Sequence, residues 1–195
     1  MIVLVRHGET EANRAGLLLG RADPPLTARG ARQAAALARV QARRRANRLL
    51  TSLLTRAVQT AAAIAEATGA SPTVEPRLTE LDYGDWDEHP VADLPGDVAA
   101  RWRADPTFAP PGGESLASLR ERVAPCAAEL LDLVRDETVI AVSHVSPIKA
   151  TILVALGLPD ELAWRLRLDL ASITRLDAGP MGPVLVTYNE TPARS

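Results

Sequence analysis

Two short apolar runs constrain this chain more than any other feature of its sequence. Residues 2–5 and 138–142 are continuous, rich in β-branched side chains and too short to be helices. Such runs are typical of strands that are buried on both faces of a parallel sheet. A histidine follows closely after each run, at His7 and at His144. Because open α/β sheets bind ligands at the carboxyl edge of their strands, we expect the two imidazoles to lie near each other there.

The rest of the sequence alternates between strands and helices, which predicts an α/β fold. We expect a three-layer sandwich in which helices flank a mostly parallel central sheet. Helices are predicted over residues 27–43, 55–67, 115–133 and 146–157. Further strands are predicted over residues 47–51, 73–75, 165–169, 173–176 and 184–188, and the last three of these are expected to close the sheet antiparallel. Residues 78–113 are irregular and long for a connection, which favours a functional role. We predict a single domain over residues 1–188 and a C-terminal tail over 189–195.

Composition excludes several classes of protein. The chain has 195 residues, 47% of them hydrophobic, which is enough for one domain with its own core. A net charge of −2 gives no reason to expect nucleic acid as a partner, and the arginine run at 43–45 lies at a predicted helix end, where cations are favoured. No apolar run approaches the ~20 residues of a membrane span. A single cysteine, Cys126, and the absence of a signal peptide before the first strand predict a cytoplasmic protein.

Two segments predict an anion site. The first strand leads into Arg6, His7 and Gly8, which places a cation and an imidazole at the sheet edge, with Gly8 allowing a ligand or the chain itself to come close. Arg56 lies in the predicted first turn of a helix, within the segment Ser-Leu-Leu-Thr-Arg-Ala-Val-Gln-Thr-Ala. A helix N-terminus attracts anions, and a guanidinium adds a planar fork that matches two phosphate oxygens.

Two further segments complete a pattern. Val-Ser-His ends at His144, and Leu-Thr-Glu-Leu-Asp-Tyr-Gly-Asp-Trp-Asp contains Glu80. Taken in chain order, the four segments with His7, Arg56, Glu80 and His144 resemble the histidine phosphatase superfamily. The resemblance is to its phosphoglycerate mutase-like phosphatases, of the α-ribazole phosphatase and acid phosphatase kind. Weaker similarities extend the resemblance over most of residues 1–175.

The resemblance implies a role for each of these residues. His7 would be the nucleophile that becomes a phosphohistidine, with Arg6, Arg56 and His144 stabilising the transferring phosphoryl group and Glu80 donating and accepting the proton. Asp82 is the nearest alternative acid. The residues expected to bind substrate are Arg6, Asn13, Gly20, Arg21, Arg56, His144 and Val145. The sequence has no HxH, HxxxH or clustered carboxylate pattern, so we expect no metal and no cofactor.

The chain departs from the family pattern at two places. Val145 and Ser146 follow His144 where two glycines are common, and Glu88 and His89 follow the tryptophan segment where a glycine is usual. A bulkier Val145 is expected to narrow the pocket, and His89 is expected to face solvent.

The sequence therefore predicts a phosphomonoesterase that acts on small phosphorylated metabolites. Two alternatives stay open: a phosphoglycerate mutase, and a binding module that kept the fold but lost turnover. The partner is expected to be a small phosphomonoester, and assembly into a homodimer also stays open. The identity of the substrate depends on loops 16–25 and 84–113, and the sequence of these loops does not indicate a particular substrate.

Overall fold

A six-stranded mixed sheet forms the centre of the molecule. The computed structural model describes residues 1–43, 46–134 and 136–192. The strands are β1 (Ile2–Arg6), β2 (Arg48–Thr51), β3 (Pro72–Val74), β4 (Val139–Ser143), β5 (Ile173–Gly179) and β6 (Gly182–Glu190). Their spatial order is β3-β2-β4-β1-β5-β6. The first four strands in this order are parallel, and β5 and β6 continue the sheet antiparallel. The predicted fold class is confirmed.

Six α-helices surround this sheet in the described residues. They are α1 (Glu11–Ala15), α2 (Ala28–Gln41), α3 (Thr55–Thr68), α4 (Gly96–Ala104), α5 (Leu116–Leu133) and α6 (Val145–Ala155). The hydroxyl of Thr27 accepts a hydrogen bond at the start of α2, and that of Ser115 does so at the start of α5. Gly69 ends α3 in the left-handed conformation, at a φ of 73°. These three helix ends follow the sequence signals.

Alternation along β1 divides the core into two layers. Ile2 and Leu4 pack in one cluster with side chains from α5 and α6, such as Leu130. Val3 and Val5 pack in the other cluster with side chains from α2 and α3. Successive strand residues point to opposite faces, so a continuous apolar strand must be covered on both sides. This arrangement is the predicted three-layer sandwich.

Three features differ from the sequence prediction. Residues 165–169 are not a strand: a 3₁₀ helix ends at Arg165, and the strand that pairs with β1 on this side of the sheet is β5, which pairs in turn with β6. Helices α1 and α4 were not predicted, and α4 lies within the segment expected to be irregular. Strand β6 continues to Glu190, two residues beyond the predicted end of the strand at 188 and into the predicted tail. Arg44 and Arg45, from the arginine run, lie outside the described residues.

The sheet places the ends of three strands together. In the parallel pair of β1 and β4, Arg6 is opposite Ser143, so that the residues that follow both strands emerge side by side. Strand β2 pairs with the other edge of β4, with Thr51 opposite Val142. The carboxyl ends of β1, β4 and β2 therefore form one rim.

Candidate active site

His7 and His144 meet at this rim, as the sequence predicts. Their ring centroids are 5.0 Å apart, and both side chains are buried. Gly8 comes next to His7 and lies against α2, where a Cβ on Gly8 would be 2.5 Å from the carbonyl oxygen of Gly30. The glycine is therefore needed for close packing of the chain behind the nucleophile candidate.

The hydrogen bond of His7 determines which ring nitrogen is free. Its Nδ1 lies 2.7 Å from the carbonyl oxygen of Gly8. A carbonyl only accepts, so Nδ1 carries the proton and Nε2 keeps its lone pair in the neutral ring. Burial, together with the nearby charges of Arg6 and Arg56, holds the pKa of His7 well below its ordinary value. The ring is thus neutral near pH 7, with Nε2 available to attack an electrophile.

His144 has the opposite tautomer. Arg56 Nε donates to its Nδ1 at 3.2 Å, which requires that the proton of the neutral ring sit on Nε2. That nitrogen lies 2.7 Å from Ser52 Oγ, at the end of β2, and donates to it. Burial, followed by the charges of His7 and Arg56, holds the pKa of His144 well below its ordinary value. A phosphate dianion beside the ring would favour its protonation.

Arg56 lies in the first turn of α3 and is fully buried. Besides its bond to His144, it donates from Nη1 to Ala22 O at 2.7 Å and from Nη2 to Gly20 O at 2.8 Å and Leu19 O at 3.4 Å. These contacts commit four of its five N–H groups. The predicted two-pronged contact with phosphate is therefore not available in this arrangement. Arg56 instead offers its charge and one remaining N–H.

Two carboxylates hold the loop that surrounds Arg56. Asp87 accepts from the backbone N–H groups of Gly20, Arg21 and Ala22 at 2.7–2.8 Å. Asp23 accepts from the N–H and the hydroxyl of Thr55, both at 2.7 Å, and so caps α3, which has no capping side chain at its own N-cap position. The position of the buried guanidinium thus depends on two carboxylates, of which Asp23 lies 4.0 Å from its Nη1.

Arg6 supplies a second cation at the end of β1. Its Nη1 donates to Leu168 O at 2.6 Å, while its buried Nε has no hydrogen-bond partner among the described residues. Burial lowers the pKa of Arg6, and the charge of Glu80 opposes that shift. An arginine stays protonated in either case. Arg6 therefore has a donor to spare for an anion.

Glu80 lies at the N-terminus of α6. Its carboxylate accepts from the N–H groups of Val145 and Ser146, each at 3.1 Å, and from Leu81 N at 2.8 Å. The residue is only 2% exposed. Asp82, the alternative acid, accepts from Gly84 N and faces Arg21 at 3.5 Å on the rim. The geometry therefore brings Glu80, rather than Asp82, into the buried cluster.

The other predicted ligand residues are arranged around this cluster. Asn13 lines a groove with Arg6, but its Oδ1 accepts from Thr10 in the cap of α1, so only its amide nitrogen is left to donate. Arg21 is engaged by Asp82 and, at 3.9 Å, by Glu114. Gly20 contributes backbone groups only.

Val145 gives its N–H to Glu80, and its side chain lines a neighbouring cavity. His89 is exposed, as expected.

Sequence reasoning missed four residues of the site. Ser52 follows β2 at the same rim, so its position after a strand was a usable signal. Asp23 and Asp87 bind backbone groups across long sequence separations, which no local pattern reveals. Lys149 lines the neighbouring cavity, and its pKa falls to about 8 because of burial.

Within residues 1–43, 46–134 and 136–192, no group of three or more His, Cys, Asp or Glu side chains is placed to hold a metal ion. In the same ranges, no helix is long and apolar enough to cross a membrane. The described cluster combines two neutral imidazoles, two guanidiniums and one carboxylate. Such a site suits a doubly charged oxyanion and its transfer to nitrogen.

Comparison with known proteins gives a consistent result. The sequence profile of the histidine phosphatase superfamily (branch 1) matches residues 2–191. The chain is 36% identical to the "Probable phosphoglycerate mutase GpmB" of Enterobacter sp. (strain 638) over 181 residues, which cover 90% of this chain and 84% of the relative.

Solved structures agree with the family match. Mycobacterial glucosyl-3-phosphoglycerate phosphatase is 33% identical with a TM-score of 0.88, over 97% of this chain and 99% of that one. The α-ribazole phosphatase of Shigella flexneri is 30% identical with a TM-score of 0.85, over 97% and 96% of the two chains. The buried histidine pair at the sheet edge and these similarities lead to one conclusion: the chain belongs to the histidine phosphatase superfamily.

Proposed function

We propose that this protein is a phosphomonoesterase that hydrolyses small phosphorylated metabolites through a covalent phosphohistidine on His7. The observation that carries the proposal is the environment of His7: a buried neutral imidazole with its proton on Nδ1, beside His144 and two arginines. Such a ring can attack phosphorus through Nε2 without first losing a proton.

In the first step, Nε2 of His7 forms a bond to phosphorus while the bond from phosphorus to the ester oxygen breaks. Glu80, which must take up a proton before this step, gives it to the leaving alkoxide, which departs as an alcohol. Arg6 and Arg56 offset the negative charge of the equatorial oxygens, and His144 helps to hold Arg56 in place by accepting from its Nε. The products of this step are the alcohol and phospho-His7.

In the second step, water attacks the phosphohistidine. Glu80, now a carboxylate, takes a proton from that water, the bond from nitrogen to phosphorus breaks, and inorganic phosphate leaves. Glu80 returns to its protonated form, and His7 returns to its neutral form. The buried position of Glu80 beside the N-terminus of α6 supports this assignment over Asp82.

A phosphoglycerate mutase is the second candidate, because relatives at about one-third identity carry that name. In a mutase, phospho-His7 would return the phosphoryl group to a hydroxyl of the substrate instead of to water. The structural neighbours named as phosphatases align with this chain over almost their whole length, which supports hydrolysis.

Two measurements test the proposal. Labelled p-nitrophenyl phosphate, quenched without acid, should place phosphate on His7 in a linkage stable to alkali and labile to acid, and the His7→Ala variant should show neither label nor turnover. Label on another residue would reject the mechanism. Full activity of the variant would do the same, and absence of turnover in the wild type would favour the binding module.

With 3-phosphoglycerate and catalytic 2,3-bisphosphoglycerate, release of inorganic phosphate should exceed formation of 2-phosphoglycerate. The reverse ratio would identify a mutase.

A further inference from the structure

A cavity of about 230 Å³ adjoins the proposed active site. Leu81, Val145 and Ser146 line it, and these are the three residues whose N–H groups bind the carboxylate of Glu80. Glu80 is proposed to protonate the leaving alkoxide, so the alcohol part of the substrate must lie on its side. The inference below rests on the proposed function, because it assigns this cavity to that alcohol part.

Most of the cavity wall is apolar, and three aromatic side chains contribute to it. The ring of Trp102 meets Tyr83 edge-on at 5.9 Å and Trp164 at 4.8 Å between centroids. Few polar atoms interrupt this wall, among them the hydroxyls of Tyr83 and Ser146 and the Nε1 of Trp102, which has no partner among the described residues. A sugar would leave most of its hydroxyl groups without hydrogen-bond partners there, which is costly. An apolar cavity of about 150 Å³ holds one benzene ring, so this cavity suits a body somewhat larger than one ring.

Lys149 also lines the cavity, and it is the single lysine among the 22 lysine and arginine residues of the sequence. Within the described ranges its ammonium forms no hydrogen bond and no ion pair. Asp160 lies in the same wall but is paired with Arg120 at 2.7 Å. The charged groups that act on Lys149 are Glu80, which opposes loss of its proton, and Arg6, which favours it.

The position of Lys149 relates it to the phosphate site. It follows Val145 by four residues on α6, so the two side chains lie on the same face, one helical turn or about 6 Å apart. An ammonium without a counter-ion among apolar walls is unfavourable, and an anionic group on a ligand would offset that cost. A ligand can therefore place phosphate at the rim and a second anionic group one turn further along α6.

We propose that Lys149 determines substrate specificity by pairing with a carboxylate on the alcohol part of the substrate, whose remaining body is aromatic. The substrate class is then the phosphomonoesters of aromatic hydroxy acids. A carboxylate fits better than a second phosphate, because one ammonium neutralises a single negative charge and a dianion would stay partly uncompensated among apolar walls.

The test compares two esters that differ only in charge: the phosphate monoester of 3-(4-hydroxyphenyl)propanoate and that of its primary amide. Wild-type kcat/KM should favour the acid by about tenfold or more, mainly through KM, since the pairing exists before and during the reaction. In Lys149→Met the ratio should fall to about one, and in Lys149→Arg it should be largely retained. Arg48→Met removes one exposed charge at the amino end of β2, away from the rim formed by the carboxyl ends, and should keep the wild-type ratio.

Circular dichroism and Tm establish that each variant is folded. A wild-type ratio near one, or a preference that persists in Lys149→Met, overturns the inference about Lys149 and leaves hydrolysis itself intact. A higher kcat/KM for the bisphosphate of 4-(2-hydroxyethyl)phenol than for the carboxylate ester overturns it in favour of a second phosphate. If the wild type hydrolyses neither these esters nor p-nitrophenyl phosphate, the proposed function fails, and the inference fails with it.

Discussion

Replacing Asp87 by Asn should weaken catalysis although the Asp87 carboxylate, within the described residues, bonds only to backbone N–H groups. The carboxylate accepts from Gly20 N on one oxygen and from the N–H groups of Arg21 and Ala22 on the other. An amide retains one of these oxygens and presents an NH₂ group to the remaining donors. The carbonyls of Gly20 and Ala22 that hold Arg56 should then shift.

The size of the effect follows from the lost contacts. A hydrogen bond to a charged group contributes about 1.5–3 kcal/mol, and because this loop is partly exposed, we expect a total loss in that range rather than a multiple of it. For a chain of this length, 1 kcal/mol corresponds to about 2–4 °C, so Tm should fall by about 3–12 °C. If the displaced guanidinium loses a similar amount of transition-state stabilisation, kcat/KM should fall by about 10- to 100-fold.

The assay measures kcat/KM with p-nitrophenyl phosphate, the inhibition constant of inorganic phosphate, and Tm. Asp85→Asn is the matched control, because it removes the same charge from the same loop at an exposed position. If Asp87 acts through Arg56, adding Asp87→Asn to Arg56→Ala should cause little further loss of kcat/KM while it still lowers Tm. Additive effects on kcat/KM, or an effect no larger than that of Asp85→Asn, would refute the reasoning.

Three further predictions follow from the buried charges. Arg56→Ala should lower kcat/KM by a factor on the order of 10² or more. Arg56→Lys should recover only part of the lost activity, because an ammonium cannot bond to His144 and the loop carbonyls together. Full activity of either variant in steady-state assays would place Arg56 outside the site. Where phosphorylation limits the rate, Glu80→Gln should depress turnover of alkyl phosphates much more than that of p-nitrophenyl phosphate, because the nitrophenolate leaves without a proton. If Asp82→Asn shows this leaving-group dependence instead, Asp82 is the acid. Because the pKa values of His7 and His144 are lowered in the folded protein, the unfolded chain binds up to two more protons below pH 6.5. These groups therefore leave the free energy of unfolding unchanged above that pH. Below it, they reduce the free energy of unfolding by at most about 2.7 kcal/mol per pH unit, down to the folded-state pKa values. Urea unfolding between pH 5 and 8 should show this slope, which should be roughly halved in His7→Gln; an equal slope in both proteins would contradict the assigned protonation.

Local signals in the sequence determine most of the architecture. The continuous apolar runs of β1 and β4 require cover on both faces, which already implies a three-layer fold. A histidine after each of these strands, and an arginine in the first turn of α3, are local patterns, and they predict the rim where His7, His144 and Arg56 meet. Strand-like alternation misled at 165–169, because alternation shows that one face of a segment is buried but not that its backbone pairs with a strand.

Only the tertiary structure decides the chemistry of the individual groups. The tautomers of His7 and His144 depend on a carbonyl, a hydroxyl and a guanidinium that come from separate elements. The position of Arg56 depends on Asp87, which binds a loop 65–67 residues away in the sequence. The cavity beside Lys149 likewise exists only once distant segments have packed together. Short-range patterns encode strands, helices and their ends, whereas hydrogen bonds and burial between distant segments set the protonation and orientation on which catalysis depends.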